Sequence, residues 1–160
     1  MKKWIWIPVV ISLILPMCNQ KQATEEIPPV AQEAADKISL AIKNFEEGSV
    51  SEGAPQLLDV ILLTRPRSSW PDGFVEGVES AKSSFKENNL PEGIDGVKKA
   101  VKLFNPDMTE QSGETEGRNI NLAEILLIKI QSAAEKLKEG EVDQAVILIL
   151  ESLLLLGPQQ

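Results

Sequence analysis

Residues 133–158 read AAEKLKEGEVDQAVILILESLLLLGP, two apolar helical runs separated by Gly140 and closed by Gly157-Pro158. The same skeleton stands twice more, as AIKNFEEGSVSEGAPQLLDVILLTRP (41–66) and AKSSFKENNLPEGIDGVKKAVKLFNP (81–106), with no gap in either. Ala41, Ala81 and Ala133 share one position and Phe45, Phe85 and Leu137 another; then come the break Gly48, Asn88 and Gly140 and the small residues Gly53, Gly93 and Ala145. Leu57, Val97 and Ile149, then Ile61, Val101 and Leu153, complete an apolar face, and every copy ends in Pro. Apolar residues at three- and four-residue spacing describe amphipathic helices. A break between two such helices sets a turn, and a small residue lets them approach closely. The reading is an all-α fold of six helices, arranged as three tandem antiparallel hairpins that bury against one another what a single hairpin leaves open. An independent six-helix bundle is the alternative. The helices fall at about 34–47, 52–63, 73–87, 91–104, 121–139 and 141–156, Asp72 capping the third and Asn121 with Glu124 forming a capping box for the fifth. No segment alternates with period two for more than a few residues, so almost no sheet is expected.

The third copy resembles a tetratricopeptide-type repeat: Gly140 stands at the turn, Ala145 at the small site of the second helix, Ile149 at its bulky site and Ser152 at the next small one. Gly53 with Val60 and Gly93 with Ala100 occupy the two small sites of the other copies. The resemblance implies a concave surface lined by the first helix of each hairpin. Its peptide-contacting positions correspond to Ile38, Ile42, Phe45, Val78, Lys82, Phe85, Ile130, Ala134 and Leu137. An apolar stripe of this kind reads first as core, buried by neighbouring helices. Lys82 is the member of the set expected to stay exposed.

The composition excludes more than it suggests. The 160 residues, 42% of them apolar, suffice for one domain of ordinary size. With no His, no Tyr and a single Cys, the chain lacks an imidazole base, a His or multi-thiolate metal site and an intramolecular disulfide. A net charge of −8 argues against nucleic acid, which requires a basic footprint. The dense carboxylates, Glu46-Glu47, Glu110, Glu114 and Glu116, face no recognisable nucleophile or phosphate loop, and no calcium-loop motif occurs. No cofactor and no metal are expected, and the chain is not expected to be an enzyme.

The N-terminus reads as an address. Met1-Lys2-Lys3 precedes an uncharged stretch, Trp4 to Met17, whose fourteen residues include Pro8 and Pro16. As a helix it rises about 21 Å, short of the roughly 30 Å hydrocarbon core, so residues 1–17 read as a signal peptide instead of a span. The position of Cys18, after the apolar run and before Asn19-Gln20-Lys21, resembles a bacterial lipoprotein signal, with Leu15 as the branched residue three before the Cys. The resemblance implies acylation of Cys18, membrane attachment through the lipid, and a place in the cell envelope facing the periplasm or exterior. Residues 18–29 then form the lipidated Cys and a polar tether ending in Pro-Pro, and 30–160 the helical domain. Within that domain, residues 105–119 hold polar and acidic side chains with two glycines and no periodicity, the composition of a mobile loop.

Two further features bear on binding. Leu122 to Ile130 (LAEILLIKI) and Val146 to Leu156 (VILILESLLLL) are apolar on nearly every face, so these helices are either central or a landing site for a partner. Leu148, Leu154 and Leu155 lie off the main stripe. The loop TRPRSSWPDG (64–73) sets Arg65, Arg67 and Trp70 between prolines, either as interface anchors or with Trp70 stapling the next helix. The expected function is that of a non-catalytic envelope adaptor or assembly factor, binding another envelope protein or a second copy of itself. The alternative is a helical carrier for a hydrophobic small molecule or lipid.

Overall fold

A computed structural model of the chain describes residues 29–107 and 121–157. Residues 1–28, with the expected signal peptide, Cys18 and the expected tether, and residues 108–120 and 158–160 lie outside them. The described residues are all-α, with no strand: α1 (Pro29–Glu46), α2 (Val50–Leu63), α3 (Phe74–Lys86), α4 (Leu90–Phe104), α5 (Leu122–Lys138) and α6 (Val142–Leu154), plus one 3₁₀ turn at Arg67–Ser69. Helix α1 starts five residues before the expected point. Its first residue is Pro29, whose missing N–H costs nothing where the first-turn donors have no intrahelical partner anyway.

The breaks in the three copies become three turns built alike. Gly48, Asn88 and Gly140 hold φ of +78°, +58° and +78°, the left-handed conformation. Each donates its N–H to the carbonyl three residues back, Phe45, Phe85 or Leu137. The following N–H, of Ser49, Asn89 or Glu141, reaches the carbonyl five back, of Asn44, Ser84 or Lys136. These are Schellman caps, which satisfy orphan carbonyls at a helix end and reverse the chain. The partners across each turn then run in opposite directions: Phe45 lies over Gly53 near the first turn and Lys37 reaches Asp59 farther along, so α1 and α2 are antiparallel. The same holds for α3 with α4, where Gly93 meets Phe85 and Gly77 meets Ala100, and for α5 with α6, where Lys136 bonds Glu141 and Lys129 bonds Glu151.

Two local expectations differ. Asp72 does not cap α3; the cap is Gly73 at φ +80°, and the first helical N–H, of Phe74, goes to the Pro71 carbonyl. Asn121 stands at the cap of α5, yet its side chain accepts no bond and the Glu124 N–H goes to the Asn121 backbone carbonyl instead.

The hairpins close on one another. Helix α2 packs against α1, α3 and α6; α6 packs against α5, α4 and α2; and α5 packs on α1 as well as on its own partner. The third hairpin therefore touches both others. This arrangement explains why α2 and α6 have little polar surface: Leu57, Leu58, Val60 and Ile61 on one, and Val146, Ile149, Leu150 and Leu153 on the other, are fully buried. Each such side chain contributes about 1.5–3 kcal/mol of burial. Lys98, at the position of Leu58 and Leu150, is exposed, because α4 packs mainly against α3 and α6 and has fewer neighbours than α2 or α6.

Candidate functional site

The first-helix stripe serves mainly as core. Ile38, Val78, Phe85 and Ile130 are buried, so they do not line an open concave surface in this chain. Ile42, Phe45, Ala134 and Leu137 are half-buried and pack against the same core. Lys82 is no free groove residue either. Its ammonium bonds Asp59 of α2, which also receives Lys37 of α1 at 3.4 Å, and all three side chains are about a quarter exposed. One carboxylate thus links α1, α2 and α3.

The basic loop is likewise engaged inside the molecule. Arg65 pairs with Asp143 at the start of α6 and lies 5.1 Å from the centre of the Trp70 ring. Arg67 pairs with Glu79. Trp70 is buried, stacked on Phe74 at 4.6 Å and tilted against Phe104 at 5.7 Å, with its indole N–H unpartnered among the described residues. Trp70 thus holds the start of α3 to the end of α4. Leu148, Leu154 and Leu155 are half-buried against the core, not projecting from it.

Of the two helices with excess apolar surface, α6 is central, which accounts for it. Helix α5 is not: Leu122 is 37% exposed and Ile128 is 54% exposed. Where the first turns of α5 meet the last residues of α1, the first of α2 and the chain just past α6, they leave a cleft of about 470 Å³. Its walls are Phe45, Glu46, Val50, Leu122, Ala123, Leu126, Leu127, Leu155 and Leu156. Two sequence-selected residues, Phe45 and Leu155, come together here; the other seven were not singled out as site residues, although the apolar excess of LAEILLIKI pointed at four of them. The one charged wall residue, Glu46, is exposed and has no ion pair among the described residues.

The chemistry of this site is that of apolar contact beside a single carboxylate. Among the described residues no three Asp, Glu or Cys side chains gather as a metal site, and no helix is long and apolar enough to cross a membrane. Comparison with family models, curated proteins and solved structures finds no match to the chain.

Proposed function

We propose that the protein is a non-catalytic lipoprotein of a bacterial envelope, acylated at Cys18, whose tetratricopeptide-like helical hairpins bind another envelope protein, as an adaptor or assembly factor. The observation that carries this reading is the apolar cleft at the α1–α5 end, open at Leu122 and Ala123. The cleft gathers apolar side chains from α1, α2, α5 and the chain past α6 into one concave surface, a shape that receives apolar side chains of a ligand or partner. Its position suits a tethered adaptor. The eighteen residues of α1 rise about 27 Å, so a tether entering at Pro29 attaches at the end of the bundle remote from the cleft. A lipid tether attached there leaves the cleft unobstructed.

A second reading, a carrier for a lipid or other hydrophobic small molecule, draws on the volume, which falls in the range of small-ligand pockets. Such pockets enclose most of their ligand, whereas this mouth stays open, which favours side chains of a protein.

Native mass spectrometry of the chain from its host, wild type beside Ala123→Trp, tests both. The adaptor reading expects a mature N-terminus at Cys18 carrying acyl mass, and an envelope protein that accompanies the wild type and is lost from the variant. A bound lipid that Ala123→Trp displaces favours the carrier, and an N-terminus elsewhere removes the anchor.

A further inference from the structure

We infer that the cleft accepts an amphipathic helix of a partner protein whose apolar side chains are flanked by Lys or Arg, an inference that rests on the adaptor reading. The selecting element is Glu46. It stands in the wall of an otherwise apolar cleft, with no cation bound to it among the described residues. Any partner that covers the cleft strips water from this carboxylate, and an ionised group left dry and unpaired costs far more than the apolar contact returns. A partner with a cation beside its apolar stripe removes that cost and adds a charge-assisted bond. The site of Glu46 also works against the stability of the free protein. It is the last residue of α1, where the negative end of the helix dipole disfavours an acid. A docked cation relieves this unfavourable placement.

The surroundings are acidic on balance. Glu46, Glu47, Glu52 and Glu87 are exposed at this end of the bundle against Lys43, paired with Glu47 at 3.9 Å, and Lys86. Charge complementarity therefore selects a basic partner and steers its approach. It also argues against the other occupants. A second copy brings its own Glu46 and a net charge of −8 to the contact, and a fatty acid sets its carboxylate against Glu46. A helix laid in an apolar groove, anchored by residues three and four apart, is the protein ligand that sets cations directly beside an apolar row.

The test uses the full chain in phosphatidylcholine nanodiscs and two synthetic helical peptides with one leucine stripe, their polar positions filled by Lys in one and by Glu in the other. Fluorescence anisotropy is read at about 50 and about 300 mM salt. The lysine peptide is expected to bind at least about tenfold more tightly than the glutamate peptide, and to lose several-fold at the higher salt. Glu46→Lys should cut its affinity about tenfold and improve that of the glutamate peptide, while Ala123→Trp should abolish binding of both. Glu46 and Ala123 are exposed, so both variants are expected to keep the helical circular dichroism and melting of the wild type. Equal binding of the two peptides, lost in Ala123→Trp, overturns the inference and leaves the adaptor reading in place. Binding that persists in Ala123→Trp places the peptide elsewhere and overturns it too. Binding of palmitate in place of either peptide, blocked by Ala123→Trp, overturns inference and adaptor together. Self-association in sedimentation, abolished by Ala123→Trp, assigns the cleft to a second copy and overturns the basic-partner inference.

Discussion

The ring of Phe85 closes over Gly93 so tightly that a β-carbon on the glycine would lie 2.8 Å from it. Phe45 stands over Gly53 in the same way, at 3.0 Å. The third copy has the smaller Leu137 at the ring position and has Ala145 where the others have glycine. A large side chain on the first helix and a residue without a β-carbon on the second are one packing solution. Relaxing the first allows a methyl on the second.

Alanine substitutions at three glycines should therefore give three different signs. Phe85 is fully buried and its ring has nowhere to go, so Gly93→Ala should destabilise by about 1 kcal/mol, overpacking outweighing the better helix propensity. Phe45 is only half-buried and yields, so Gly53→Ala should be near neutral. At Gly77 the added carbon meets Ala100 at 3.8 Å, an ordinary contact, and alanine should stabilise by about 0.5–1 kcal/mol. Urea melts of the three variants decide it; equal midpoints mean that the glycines are not contact points.

The turns make a second series. Nothing lies within 4 Å of a β-carbon placed on Gly48 or Gly140, so a substitution there meets only the conformational penalty of positive φ. Gly48→Ala and Gly140→Ala should each cost about 1–2 kcal/mol. Asn88 is the one non-glycine in this conformation among the described residues. Asn88→Gly should gain about 0.5 kcal/mol, read as a higher urea midpoint at unchanged slope.

Local features were legible because each is written within a few residues. The helix breaks and the small sites follow from spacing alone, whereas spacing puts Ile38, Val78 and Ile130 on one apolar stripe without deciding between groove and core, which only their burial settles. Side-chain contacts between helices, within a hairpin or among hairpins, are not written that way. Gly96 carries no such signal, being matched in register by Gln56 and Leu148, yet a β-carbon on it would lie 2.7 Å from that of Ala81. The third hairpin packs on the first, α5 on α1 and α6 on α2, and no periodicity encodes that. That packing buries Leu150 and leaves Leu122 and Ile128 exposed, although their segments look equally apolar. Lys37–Asp59 and Lys129–Glu151 occupy equivalent positions in the first and third copies. A register built on apolar classes alone does not reveal them.

Asp59 should matter more than a typical surface acid. It is three-quarters buried and receives both Lys37 and Lys82, so Asp59→Ala removes the joint between the first two hairpins and leaves two half-buried ammonium groups unpaired. The expected loss is about 1–2 kcal/mol, held down by residual solvent screening. Lys37→Met should cost less than Asp59→Ala, since Lys82 still neutralises the carboxylate. Stabilities from urea melts at low and high salt check the ranking; a loss from Lys37→Met as large as that from Asp59→Ala means the second lysine contributes nothing.

Lys136 gives a pH prediction. Its ammonium donates to Glu139 at 2.8 Å and to Glu141 at 3.0 Å, and these bonds, that to Glu139 foremost, raise its pKa above the ordinary 10.5. A raised cation pKa stabilises the fold fully below 10.5, and that contribution is lost as pH climbs through the folded-state value. Glu139→Gln should lower the Lys136 midpoint in a nitrogen-detected NMR titration. A midpoint unmoved by the substitution means the bond is absent in solution.

Arg65 ties the three hairpins at the end opposite the cleft. It leaves α2, covers the Trp70 ring that supports α3, and pairs with Asp143 in the first turn of α6. Asp143 is largely exposed, so the ion pair alone should contribute under about 1 kcal/mol, and Asp143→Ala should cost no more than that. Arg65→Ala also removes the guanidinium from the ring, a contact worth about 0.5–1 kcal/mol, and uncovers the aromatic cluster, for a total of about 1–2 kcal/mol. The loss should be local as well as global. Hydrogen exchange in Arg65→Ala should accelerate first at residues 145–147 of α6, whose amides are protected only while the start of that helix stays docked, and later in α1, which Arg65 does not reach. Equal losses from Arg65→Ala and Asp143→Ala leave no stabilising share to the ring contact, and uniform acceleration along the chain means that Arg65 supports the whole fold, not the docking of the third hairpin.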